Sequence, residues 1–153
     1  MDHVIVHNHM HLHPTVLGLI LRVGGEYGMR TTRIPEEPGG DFFLRPWLSL
    51  VRARTRRANV RSNDVVLGLR YTGEMDSERV IGLLRDLPEG TTEMYFHPAT
   101  RSTPYIEREL PGCRVEAEFR ALIDPLVREA IRASGAQLIA FSDLHQEVPE
   151  CSA

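Results

Sequence analysis

Apolar residues along this chain come in alternating short and long blocks. Val4-Ile5-Val6 is a short β-branched run of strand type. Pro14 then suits the first position of a helix, and Val16, Leu17, Leu19, Ile20, Leu21 and Val23 supply that helix's buried side before Gly28 closes it. Residues 30–34 read as a strand ended by Pro35, and the EEPGG stretch at 36–40 as a loop. Residues 47–60 read as a helix with a basic, solvated face of Arg52, Arg54, Arg56 and Arg57. Residues 65–69 form the next strand. An amphipathic helix follows over 77–87, with Val80, Ile81, Leu84 and Leu87 on one side and Ser77 as N-cap. Residues 93–97 make another strand, trailed by a loop rich in Thr, Ser and Pro. Asp124-Pro125 opens the last helix, Gly135 closes it, and residues 137–141 make the final strand.

Strands separated by helices predict an α/β fold with parallel strands and right-handed crossovers, either a barrel or an open doubly wound sheet. No repeat or linker interrupts the pattern, so residues 1–153 read as one domain or part of one.

Composition adds little to this and removes several functions. The chain is 42% hydrophobic and 25% charged, an ordinary globular balance. A net charge of -3 offers no basic field for nucleic acid. All 18 basic residues are Arg, which excludes a catalytic Lys or a Schiff base. Cys113 and Cys151 have no metal-site spacing and make no disulfide framework, which suits a reducing cytoplasm. The N-terminus lacks the basic and apolar regions of a signal peptide, and the apolar stretch at 16–23 is too short to span a bilayer.

The candidate chemistry is histidine chemistry. His7, His9, His11 and His13 occupy every second position of VHNHMHLHP, four of the chain's seven histidines. On a strand, alternate side chains share a face, so several of these rings would converge. Neutral imidazole suits zinc and similar divalent metals, and parallel sheets place their sites at the C-terminal ends of strands. His13 also stands where it can cap the helix that Pro14 opens, and His3 reads as structural. A second polar strand, TEMYFHPAT, puts Glu93, Tyr95 and His97 on one side, with His97 at its end, the place for a general acid or base or for a loop histidine bonded to backbone.

Together these motifs resemble the YdjC-like carbohydrate deacetylases. HNHMHLHPTVLGLILRVGGEYGMRTTRIPEEP resembles the family's His-rich strand, helix and following strand. The HLHPT variant, GLRYTGEM, TEMYFHPATR and the tail ASGAQLIAFSDL resemble its hopanoid-biosynthesis-associated (HpnK) branch. The resemblance covers essentially the whole chain. It implies the C-terminal part of a (β/α) barrel-like fold lacking its first strands. The implied reaction removes an acetyl group from an N-acetylated carbohydrate or glycolipid sugar with a divalent metal, Mg or Zn.

His7 matches the family's metal-ligating histidine, and His97 matches the histidine before Pro-Ala, here assigned as the general acid. His9, His11, Glu93, Arg70 and Asp143 stand as substrate or supporting residues. A metal so held lowers the pKa of a bound water and polarises the acetyl carbonyl. The family's opening Asp-Asp motif and Gly-x-His segment do not occur in this sequence. The expectation is therefore that this chain is inactive alone, and that it self-associates or pairs with an upstream segment.

Other readings stay open. Arg33, Arg70 and Arg101 lie near expected strand ends, where they bind sugar hydroxyls or a phosphate, or stand as surface arginines. Asp143 supports the site or caps a turn. The basic helix is a solvated face or a weak contact for anionic lipid. A two-metal amidohydrolase or phosphoesterase would share the His-x-His start, yet downstream only His97 and His145 remain to serve it. A non-catalytic remnant or partner subunit is the remaining alternative.

Overall fold

The computed structural model describes residues 2–145; the side chain of His145 and all of Cys151 lie outside what is described. The fold is mixed α/β with parallel strand pairs, as the alternating pattern predicts. Contacts gather the chain into two compact units, Met1–Asp64 with Leu138–Ala153, and Val65–Gln137.

In the first unit, β1 (His3–Val4) pairs in parallel with β2 (Thr31–Thr32), and Thr31 bridges onward to Arg61. Between the strands runs α1 (Pro14–Glu26), with Pro14 in its first turn as expected. Gly28, at φ 74°, reverses the chain just past the helix end, a conformation a side chain would strain. The second helix, α2 (Arg45–Arg57), lays Leu48 and Val51 against Leu17 and Ile34 to form this unit's core. Buried Asn63 seals the chain after β2: its carboxamide accepts from Ile34 N–H and donates to Ile34 C=O, both at 2.9 Å.

Four expectations fail here. The His-rich segment is not a strand but a 3-10 turn, His7–Leu12, with Asn8 and His9 at φ 49° and 54°. Among the described residues β1 finds a strand partner only as far as Val4, so beyond it the backbone closes its bonds locally: His9 N–H donates to Val6 C=O and His13 N–H to Met10 C=O. The expected last strand at 137–141 is also missing. Asp143 instead caps its own turn, Phe141–His145, by accepting from Ala140 N–H at 2.8 Å. Of the basic face, Arg52 is not solvated. Its guanidinium donates to Glu36 at 3.0 Å and to the carbonyls of Asn63 and Asp64 at 2.8 and 3.0 Å, leaving its side chain 14% exposed. Arg33 is likewise buried rather than at the surface.

In the second unit, β3 (Val65–Leu67) pairs in parallel with β4 (Thr92–Met94), Val66 opposite Glu93. The crossover is α3 (Ser77–Arg85), and its cap is Asp76 rather than Ser77: the Asp76 carboxylate accepts from Arg79 N–H at 3.1 Å. The stretch after His97, expected to be loop, holds two helices, α4 (Pro104–Glu109) and α5 (Val115–Ile123). The last helix, α6 (Pro125–Ala133), starts from the Asp124 cap as predicted. Val80 and Leu84 of α3, Ala121 of α5 and Val127 of α6 close around Met75 as the core. Among the described residues, no helix is long and apolar enough to cross a membrane.

Candidate functional site

The expected site residues fall on both units, so each centre is built by itself. In the first unit the 3-10 turn distributes its histidines in a way that alternation on a strand does not. His7 and His13 are exposed, His9 is half-buried, and His11 is 1% exposed. The rings of His9 and His11 meet edge to face, 6.1 Å between centroids. His13 turns its Nδ1 back to Thr15 N–H at 3.3 Å, so it caps α1. His3 stacks its ring on Phe141 at 5.1 Å.

His11 is the unusual member. Neither ring nitrogen has a well-formed hydrogen bond to a described residue. Burial, and then the charge on neighbouring His9, push its pKa from the ordinary 6.5 down to about 4; the nearby Arg33 backbone partly opposes this and the Arg33 charge adds to it. His11 is therefore a neutral imidazole at physiological pH, the form in which histidine binds a metal. Yet no group of three or more His, Cys, Asp or Glu among the described residues could hold an ion. A catalytic metal takes about three protein ligands, so the described residues do not by themselves make a metal centre.

In the second unit the centre forms where β3 and β4 end. Tyr95 N–H continues the ladder to Leu67 C=O at 2.9 Å. Gly68 lets the strands approach there: it sits at φ 101°, and a Cβ on it would lie 2.9 Å from Tyr95 C=O. Beyond β4, Tyr95 and His97 point to the same side, as their spacing of two predicts. Their rings meet edge to face at 4.6 Å, with Tyr95 Oη 3.0 Å from His97 Nε2. His97 Nδ1 is buried and has no hydrogen-bond partner among the described residues.

The backbone of His97 is held from α5. Glu118 is fully buried, and its carboxylate accepts from His97 N–H and, at 3.3 Å, from Met75 N–H. Two backbone donors satisfy a buried carboxylate that would otherwise be costly. Sequence reasoning missed Glu118 because no element was assigned between the loop after His97 and the helix opened by Asp124-Pro125. The available signal was an acid at the middle of Val115, Glu118 and Ala121, three positions spaced as one helix face. Of the remaining expected residues, Glu93 is half-buried on β4, Arg70 and Arg101 are at the surface, and Asp143 serves its own turn.

Comparison with known proteins agrees with these motifs. The family model described as YdjC-like protein matches residues 1–133. Carbohydrate deacetylases of Mus musculus and Homo sapiens are each 30% identical over 96% of this chain, covering 56% and 54% of their own lengths. One from Brevibacillus brevis is 20% identical over 94% of the chain. The chain thus spans about half the length of the curated relatives it matches. A crystal structure from Enterococcus faecalis, described as a cellobiose-phosphate cleavage protein, shares the fold at TM-score 0.65 and 24% identity, over 94% of this chain and 52% of its own.

Proposed function

Since the chain belongs to the YdjC-like family, we propose that it is part of a carbohydrate deacetylase that hydrolyses the N-acetyl group of a sugar, with His97 as the proton donor to the leaving amine. The observation that carries this reading is the His97 centre. Its imidazole stands at the end of a parallel strand, its ring nitrogen fixed by Tyr95 and its backbone by Glu118, in a chain whose curated relatives are named for sugar deacetylation. An imidazole held at two points suits proton transfer, because the transfer needs the acid placed within hydrogen-bond reach of the leaving nitrogen.

The finer assignments belong to the same proposal. His7 contributes one ligand to a divalent ion, Mg or Zn, whose other ligands and whose general base lie outside the described residues, and this chain is inactive without them. His9 and His11 stand beside that ligand, and Glu93 and Arg70 beside the sugar. The HLHPT and TEMYFHPATR motifs favour the hopanoid-associated branch, hence a sugar carried on a lipid.

Acetate release tests the activity. The chain, alone and joined to the part of a curated deacetylase that its match leaves uncovered, is given an N-acetylated sugar in free and lipid-linked form. The expected result is release by the joined protein, more from the lipid-linked sugar, and none by the chain alone. Absence of acetate from both sugars with the joined, metal-supplied protein would overturn the proposal.

A further inference from the structure

Tyr95 and the His97 nitrogen that has no partner among the described residues carry an inference that rests on, and deepens, the reading of His97 as proton donor. We infer that Tyr95 is a positioning residue that occupies His97 Nε2, and so makes Nδ1 the nitrogen through which this histidine passes a proton.

The geometry supplies the argument. Tyr95 Oη lies 3.0 Å from Nε2, a good hydrogen-bond length. In the inferred arrangement the phenol, a strong donor, donates its O–H to Nε2, whose neutral lone pair accepts it. A neutral imidazole has one acceptor and one donor nitrogen, so the proton then resides on Nδ1. That nitrogen is buried and faces no acceptor among the described residues. A buried N–H left unpaired is costly, and an incoming basic nitrogen would relieve that cost.

Ring position is restrained twice more. The edge-to-face contact with Tyr95 limits rotation of the imidazole, and Glu118 fixes the backbone from which it hangs. In the charged form both nitrogens carry protons. Nε2–H then donates to Tyr95 Oη, whose lone pairs accept it, and the Nδ1 proton is the one that can leave. The Nδ1–H bond breaks, an N–H bond forms on the lone pair of the departing amine, and the ring is left neutral. Tyr95 thus holds Nε2 in both charge states.

The test is nitrogen-15 NMR of the histidine side chains in the full chain, at a pH where His97 is neutral. The expected result is a protonated Nδ1 and an unprotonated Nε2 for His97, and a shift of Tyr95→Phe toward the Nε2–H tautomer. An Nε2–H tautomer in the wild-type chain overturns the inference, and this needs no variant to fold. So does a Tyr95→Phe chain with a native-like amide spectrum and an unchanged tautomer. The readout is independent of acetate release. An Nδ1–H tautomer in a joined protein that hydrolyses no acetylated sugar would sustain the placement of the proton while removing the deacetylase reading.

Discussion

Two histidine centres, one in each unit, solve opposite problems with the same side chain. In the 3-10 turn, His11 is almost wholly buried, has no well-formed hydrogen bond from its ring to a described residue and is kept neutral by burial down to a pH of about 4. At the end of β4, His97 is half-buried, bonded through Nε2 to Tyr95 and fastened by Glu118. The first is a neutral ring packed away from well-formed bonds; the second has one nitrogen held and its backbone fastened. The difference comes from the partners each backbone brings, since both are histidines that follow a short parallel strand.

The largest expected effect separates the roles. In the joined protein, His97→Ala should lower turnover on an acetylated sugar by about 10²-fold or more and leave metal content unchanged. Loss of metal together with activity would place His97 among the ligands and erase the contrast between the centres.

Next comes acid stability. His11 takes up a proton near pH 6.5 when unfolded but only near 4 in the fold. Between those values the unfolded chain binds more protons, so the stability that neutral His11 confers is intact above about 6.5 and drains as pH falls toward 4. Denaturant unfolding should show a loss of roughly 3 kcal/mol across that window, absent from His11→Leu. An equal loss in both proteins would mean that His11 is not held neutral.

Zinc titration sharpens the first centre from within. His7→Ala should weaken binding by about tenfold or more, since even the partners of ligating histidines matter by that factor. If His11→Ala weakens it while His7→Ala does not, the buried imidazole is the ligand and the family match at His7 is misplaced. The smallest effect belongs to the fourth member of the turn. His13→Ala removes a helix cap and should cost about 0.5–1 kcal/mol by thermal unfolding, with zinc affinity unchanged. Weakened zinc binding there would move His13 from the helix to the metal.

Much of this protein is legible in its residues alone. Pro14, Gly28, Asp124-Pro125 and Gly135 mark helix ends through φ preference and capping, properties that act within a few residues. Tyr95 and His97 share a side because extended backbone alternates, which also needs no distant partner. The family, too, is carried by contiguous motifs. Tertiary structure decided the rest. Whether VHNHMHLHP continues as a strand depends on a neighbour for its backbone, and among the described residues β1 has one only to Val4, so the chain coils and His11, not a whole row of rings, turns inward. Arg52 became a half-buried hub only because Glu36, Asn63 and Asp64 meet it from outside its helix. Glu118 acquired its role only when α5 met the ends of two segments remote in sequence. Local rules bound conformation over a turn or two, whereas the worth of a buried charge or an unpaired ring nitrogen is set by which groups the fold brings to it and which it keeps away.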